Sequence, residues 1–75
     1  MNRISMQLPD CSSRRKRKAA LVYSICILEQ ISLGEAAYMD NMPFNLQGSD
    51  AYDAADYYIS LIEEALDVLR SVYDD

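Results

Sequence analysis

Pro43 constrains the fold of this chain more than any other residue. Proline lacks an amide hydrogen and pushes the residue before it out of the helical region, so no helix runs on through position 43. On each side of it, apolar residues recur at three- and four-residue spacing, the period of one helical face. Before it the stripe reads Leu21, Ile25, Leu28, Ile31 or Ser32, Glu35, Tyr38 or Met39, and Met42. After it come Ala51, Ala55, Tyr58, Ile59, Ile62, Ala65, Leu66, Leu69 and Val72, with Asp53, Asp56, Ser60, Glu63, Glu64, Asp67 and Asp74 on the opposite side. The stretch from Asp40 to Gly48 reads as a loop, with Phe44 and Leu46 expected to tuck beneath it as a plug. Ser49 is placed to cap the second helix, and Asp50 sits in the first turn, where the helix dipole favours negative charge.

The expected architecture is therefore all-α: a two-helix antiparallel hairpin with helices over about 18–41 and 50–73, joined by a loop over 42–49. A flexible tail over 1–13 and a disordered basic N-terminal arm precede it. Each helix would be roughly 35 Å long at 1.5 Å per residue. A chain of 75 residues closes only a small core by itself, and proteins of this size commonly add a disulfide, a metal or a second copy. Val22, Cys26 and Leu33 lie off the first stripe, so the first helix is apolar on more than one side and one neighbour cannot cover it. Dimerisation into a four-helix bundle is the simplest completion, with Leu21, Ile25, Leu28, Ile62 and Leu69 expected at the oligomer interface. Docking onto a different protein is the other.

Charge is divided along the chain. Arg14, Arg15, Lys16, Arg17 and Lys18 hold five of the seven basic residues, whereas from Ala19 onward eleven acidic residues stand against Arg70 alone, a net of −10. Cys26 lies in the apolar run Ala19–Leu28, where a reduced thiol behaves as a small hydrophobe, while Cys11 sits in the polar tail. A reduced, cytoplasmic protein is the expectation. The basic run followed by Ala19–Leu28 has the outline of a signal peptide, but Glu29 and Gln30 end the apolar run and no small-residue cleavage site follows. Ten apolar residues are also too few to span a bilayer, so no membrane partner is expected.

The sequence offers little equipment for catalysis. It has no histidine, no Ser–His or Cys–His pair and no glycine-rich phosphate loop, so no enzymatic role is expected. Glu63-Glu64-x-x-Asp67 has the outline of half a carboxylate magnesium site, but Glu29 and Glu35 are wrongly spaced to supply the other half. Neither a metal nor another cofactor is expected. What remains is binding. Arg14–Lys18 could hold phosphate, neutralise the acidic end of the second helix at Asp67, Asp74 and Asp75, or meet a partner protein. Asp53, Asp56, Glu63, Glu64 and Asp67, with Tyr52 and Tyr57 between them, could imitate a nucleic-acid backbone, since tyrosine joins a large contact area to a polar tip. A solvated face that keeps a small protein soluble is the plainer account of the same row.

The segment Ala36–Leu69 resembles a group of short helical-hairpin proteins from phages and mobile elements of Gram-positive bacteria. The resemblance is carried by Tyr38-x-Asp40-Asn41-x-Pro43-x-Asn45-Leu46-Gln47-Gly48-Ser49 and by Ile59-x-x-Ile62-Glu63-x-Ala65-Leu66-Asp67-x-Leu69. It implies a small accessory protein acting stoichiometrically on host machinery, in the manner of anti-CRISPR and other anti-defence proteins, and brings no functional residues of its own. The function expected is inhibition of a host nucleic-acid-handling or defence protein with a basic groove. Asp53, Asp56, Tyr57, Glu63, Glu64 and Asp67 would make the contact, in a homodimer or higher oligomer. The alternatives are a nucleic-acid accessory protein using Arg14–Lys18, and a sponge for nucleotide signals.

Overall fold

A computed structural model describes residues 7–74 of the chain. It contains α1 (Arg14–Asp40), a 3-10 turn (Phe44–Leu46) and α2 (Asp50–Arg70), and no strand among the described residues. The two helices pack against each other as an antiparallel hairpin. Their direction follows from which residues meet: Glu29 contacts Arg70, Ser32 contacts Glu63, and Tyr38 lines a groove with Ala54 and Tyr58. The fold is all-α, as the apolar spacing predicts.

α1 starts earlier than the spacing suggests, and the basic cluster is its first turn and a half rather than a disordered arm. Ser13 caps the helix, its side-chain oxygen accepting from the Lys16 amide. Asp10 accepts from the Ser12 amide and pairs with the Lys16 ammonium at 2.7 Å, while Arg17 donates to the Cys11 carbonyl. Arginine and lysine are good helix formers, and a capped start with a carboxylate beside it offsets the cations' unfavourable meeting with the helix dipole. Residues 1–6 of the expected tail lie outside the described residues.

The loop is held by backbone bonds rather than by a plug. Leu46 donates to the Pro43 carbonyl, Gln47 to Phe44 and Ser49 to Leu46, and Gly48 takes φ +96°, which a glycine adopts without steric cost. Phe44 is 89% exposed and Leu46 is also exposed, because the 3-10 turn aims both outward; Met42 is the half-buried residue here. Ser49 caps α2 by accepting from the Tyr52 amide, and Asp50 and Asp53 occupy its first turn. α2 ends at Arg70, short of the expected Tyr73. Ser71 donates to the Val68 carbonyl, and Tyr73 takes φ +62°, turning the chain back over the helix end with its ring half-buried.

Between the helices, α1 presents Leu21, Ile25, Leu28, Ser32, Glu35 and Met39, and α2 presents Ala55, Ile59, Ile62, Leu66 and Leu69. Spacing left Ile31 or Ser32, and Tyr38 or Met39, open; Ser32 and Met39 are the inward members. The interior is small. Among the described residues only Ala55, Leu66 and Ser32 are buried, and Leu66 alone is a large side chain fully out of water. The molecule measures 51 × 39 × 16 Å, and its short dimension is that of one layer of helices. Folded domains ordinarily close a core between two layers.

α1 is also long and apolar enough, by length and composition, to cross a membrane: its 27 residues contain an 18-residue window of mean hydropathy 1.3. Counting from Ala19 to Leu28 misses this, because the apolar pattern resumes at Ile31 and Leu33 beyond Glu29 and Gln30.

Candidate interaction surfaces

The hairpin has two broad sides, and one residue of helical rotation separates what each displays. A step of one residue turns a helix by about 100°. Because α1 and α2 run in opposite directions, stepping back one residue from the inward set on both helices reaches the same side of the hairpin. Stepping forward reaches the other.

The backward step reaches Ala20, Ser24, Ile27, Ile31, Gly34 and Tyr38 on α1, and Ala51, Ala54, Tyr58, Leu61, Ala65 and Val68 on α2. None of the twelve is charged. Ala20 and Ala54 are half-buried and the other ten are exposed, and the Ser24 hydroxyl is satisfied by the Ala20 carbonyl at 3.0 Å. Both sets repeat at alternating three- and four-residue spacing, the pattern of a bundle seam. That they share one side is seen directly where Tyr38, Ala51, Ala54 and Tyr58 line a single groove, with the half-buried Glu35 at its edge. The sequence-level stripe on the second helix merged this outer seam with the inner one. Ala51, Tyr58 and Ala65 belong to the outer seam, and Ala54, Leu61 and Val68 were missed. The detectable signal is the second 3-4 repeat, offset by one residue.

The forward step reaches the acidic side: Asp53, Asp56, Ser60, Glu63, Asp67 and Arg70 on α2, with Glu64 and Tyr57 beyond them, and Val22, Cys26, Glu29 and Leu33 on α1. The six residues expected to contact a partner are all exposed, but they are not equivalent. Glu63 accepts from the buried Ser32 hydroxyl at 3.1 Å, and Asp67 shares Arg70 with Glu29 at 3.6 and 3.4 Å. Glu63 ties α2 to α1 directly, whereas Asp67 meets Arg70 within α2. Asp53, Asp56 and Glu64 have no ion-pair partner among the described residues, and Tyr57 beside them is 61% exposed.

The other expected sites are placed differently from their sequence-level assignment. Leu21, Ile25, Leu28, Ile62 and Leu69, assigned to an oligomer interface, face the opposite helix of their own chain, since the 3-4 stripe first serves the nearest neighbour. Cys26, read as a small hydrophobe in an apolar run, is exposed, and it and Cys11 are both free thiols. No ion pair among the described residues joins Arg14–Lys18 to the acidic end of α2. Lys16 turns to Asp10 instead, although Lys18 and Asp74 flank one depression; Asp75 lies outside the described residues. The Lys16 ammonium, followed by the Ser12 hydrogen bonds, holds the fully exposed Asp10 carboxyl below its usual 3.8. As consecutive helical residues, the five cations step by about 100° each, which leaves Arg14, Arg15, Arg17 and Lys18 over one half of the helix and Lys16 on the other. Among the described residues no three His, Cys, Asp or Glu side chains are grouped so as to hold a metal ion.

Comparison with known protein families, with curated proteins and with solved structures finds no match for this chain.

Proposed function

We propose that this chain acts by stoichiometric protein binding, as a homo-oligomer completed into a four-helix bundle, and that it presents the acidic side of α2 to a partner with a basic groove. The observation that carries this is the row of unpaired, exposed carboxylates Asp53, Asp56 and Glu64 around Tyr57 on one helix. Asp53 and Asp56 lie about 5 Å apart along the axis and Glu64 about 12 Å further on. A rigid line of negative charge beside an aromatic ring suits a surface built for phosphates and bases. The mobile-element context implied by the loop resemblance makes a nucleic-acid-handling or defence protein of a Gram-positive host the partner to seek. Glu63 and Asp67, exposed beside the row, are engaged by Ser32 and Arg70 respectively.

The test is a pull-down from nuclease-treated host lysate with the wild-type chain and an Asp53→Lys/Asp56→Lys/Glu64→Lys variant. All three positions are exposed and free of intramolecular pairs, so helicity by circular dichroism is expected to persist while the partner is lost. A variant that still captures the partner at full yield rejects the acidic side as the contact.

A second role rests on Arg14, Arg15 and Lys18, which have no ion-pair partner among the described residues. These three cations would give weak, sequence-independent attraction to nucleic acid that fades steeply between low and physiological salt. A gel shift at low salt that survives Asp53→Lys/Asp56→Lys/Glu64→Lys but not Arg14→Ala/Arg15→Ala/Lys18→Ala assigns binding to the head of α1.

A further inference from the structure

We infer that the uncharged outer seam is the surface on which a second copy of this chain docks, through Ile27, Ile31 and Gly34 of α1 and Tyr58, Leu61 and Val68 of α2. The inference rests on the homo-oligomer proposed above and specifies its face.

The first argument is area. A folded monomer of 8.5 kDa exposes about 4,700 Å² by the scaling of surface with mass. This chain exposes 6383 Å², about 1,700 Å² more. The non-helical N-terminal residues account for part of the excess. A standard stable interface takes about 800 Å² from each partner and obligate homodimers take more, so the excess is of the size a second copy would remove.

The second argument is charge. Two copies that each carry a net charge of −5 repel unless their acidic sides point apart. The seam itself has no charged residue, and Asp53 and Asp56 lie on the other side, while Glu64 and Asp67 border it beside Leu61, Ala65 and Val68. Stacking seam on seam therefore leaves Asp53 and Asp56 of both copies outward and free for the partner contact.

The third argument is relief. The Ser32–Glu63 contact fixes which residues lie level across the hairpin. Gly34 is then level with Leu61, a small residue beside a large one, as interdigitating layers require. Gly34 has nothing within 4 Å of where a Cβ would stand. The hairpin itself does not use the missing side chain, which costs about 1 kcal/mol relative to alanine inside a helix. An approaching second backbone does use it. Among the described residues, 7–10 line a depression with Lys16, Ala19, Ala20 and Tyr23 at one end of α1 and leave Leu8 79% exposed.

Sedimentation equilibrium from micromolar to millimolar concentration is the test. The wild-type chain is expected at twice 8.5 kDa. Gly34→Arg, whose Cβ meets no atom within 4 Å in the single chain, is expected to halve the mass, as is Ile31→Glu/Leu61→Glu. Val22→Gln/Leu33→Gln, on the acidic side, is expected to remain at the doubled mass. A fully helical wild-type chain that stays at the single mass overturns the homo-oligomer and this face together. A doubled mass abolished by Val22→Gln/Leu33→Gln and unchanged by Gly34→Arg keeps the oligomer and overturns the face. A single mass with flotation on phosphatidylcholine vesicles also overturns the inference, because the seam then meets lipid.

Discussion

At the scale of single residues, Asp10 supports the helical start that Ser13 caps. Its carboxylate takes the Lys16 ammonium and the Ser12 amide, and both stabilise the charged form. A carboxyl whose folded pKa lies below its unfolded value stabilises the fold above that unfolded value. The contribution disappears as pH falls through the folded pKa. The carboxyl-carbon resonance of Asp10 should therefore titrate with a midpoint below 3.8, and in Lys16→Met the midpoint should rise toward that value. An unchanged midpoint in the variant would show that Lys16 is not the cause. Leu66 matters in a different way. As the one large side chain fully removed from water, it should cost about 2–4 kcal/mol on truncation to alanine, read as a shift in the denaturant midpoint. Ser32 shows why such assignments need coordinates: a serine on an apolar stripe reads as a weak position, and only its bond to Glu63 explains its burial.

The two helices differ in how plainly their sequences announce them. α2 is strongly amphipathic, with a capping serine, acidic residues in its first turn and Arg70 in its last, so its existence and start follow from local chemistry. Its end did not, because no glycine marks it and Tyr73 itself adopts the left-handed conformation. α1 has apolar residues around most of its circumference, so periodicity gave the inward stripe but not the start, and left Ile31 and Ser32 undecided. The row of acidic residues was legible in full. Its division into Glu63 and Asp67, which are occupied, and Asp53, Asp56 and Glu64, which are free, depended on contacts across the hairpin. The two helix starts also predict different responses to one substitution. α1 has no acidic residue in its first turn, so Ser13→Asp should stabilise it by about 0.5–1 kcal/mol, mostly through the dipole and the neighbouring cations. Ser49→Asp adds to Asp50 and Asp53 and should gain little. Paired thermal melts at low and high salt check this, with the Ser13→Asp gain shrinking as salt rises.

At the scale of the whole molecule, a single layer with three buried residues among those described leaves most side chains reachable by solvent. Cys26 is exposed on the acidic side and should react with a maleimide at a rate close to that of Cys11 under native conditions. Its modification should leave sedimentation unchanged if copies meet through the opposite side. Protection of Cys26, removed by dilution, would place the contact on the acidic side instead.

Two apolar seams one residue apart make α2 able to lie against α1 in either of two rotations about its own axis. With Ala55, Ile59, Ile62, Leu66 and Leu69 inward the hairpin is as described. Rolled by about 100°, Ala54, Tyr58, Leu61, Ala65 and Val68 would face inward at the same spacing. The spacing alone does not choose between them, although the observed rotation buries the larger aliphatic side chains Ile59, Ile62, Leu66 and Leu69. Ser32 with Glu63 and Arg70 with Glu29 also favour it, because a roll separates both polar pairs. These contacts act as keys more than as glue: weak as energies, they set which side of the helix becomes interior and which is left outward.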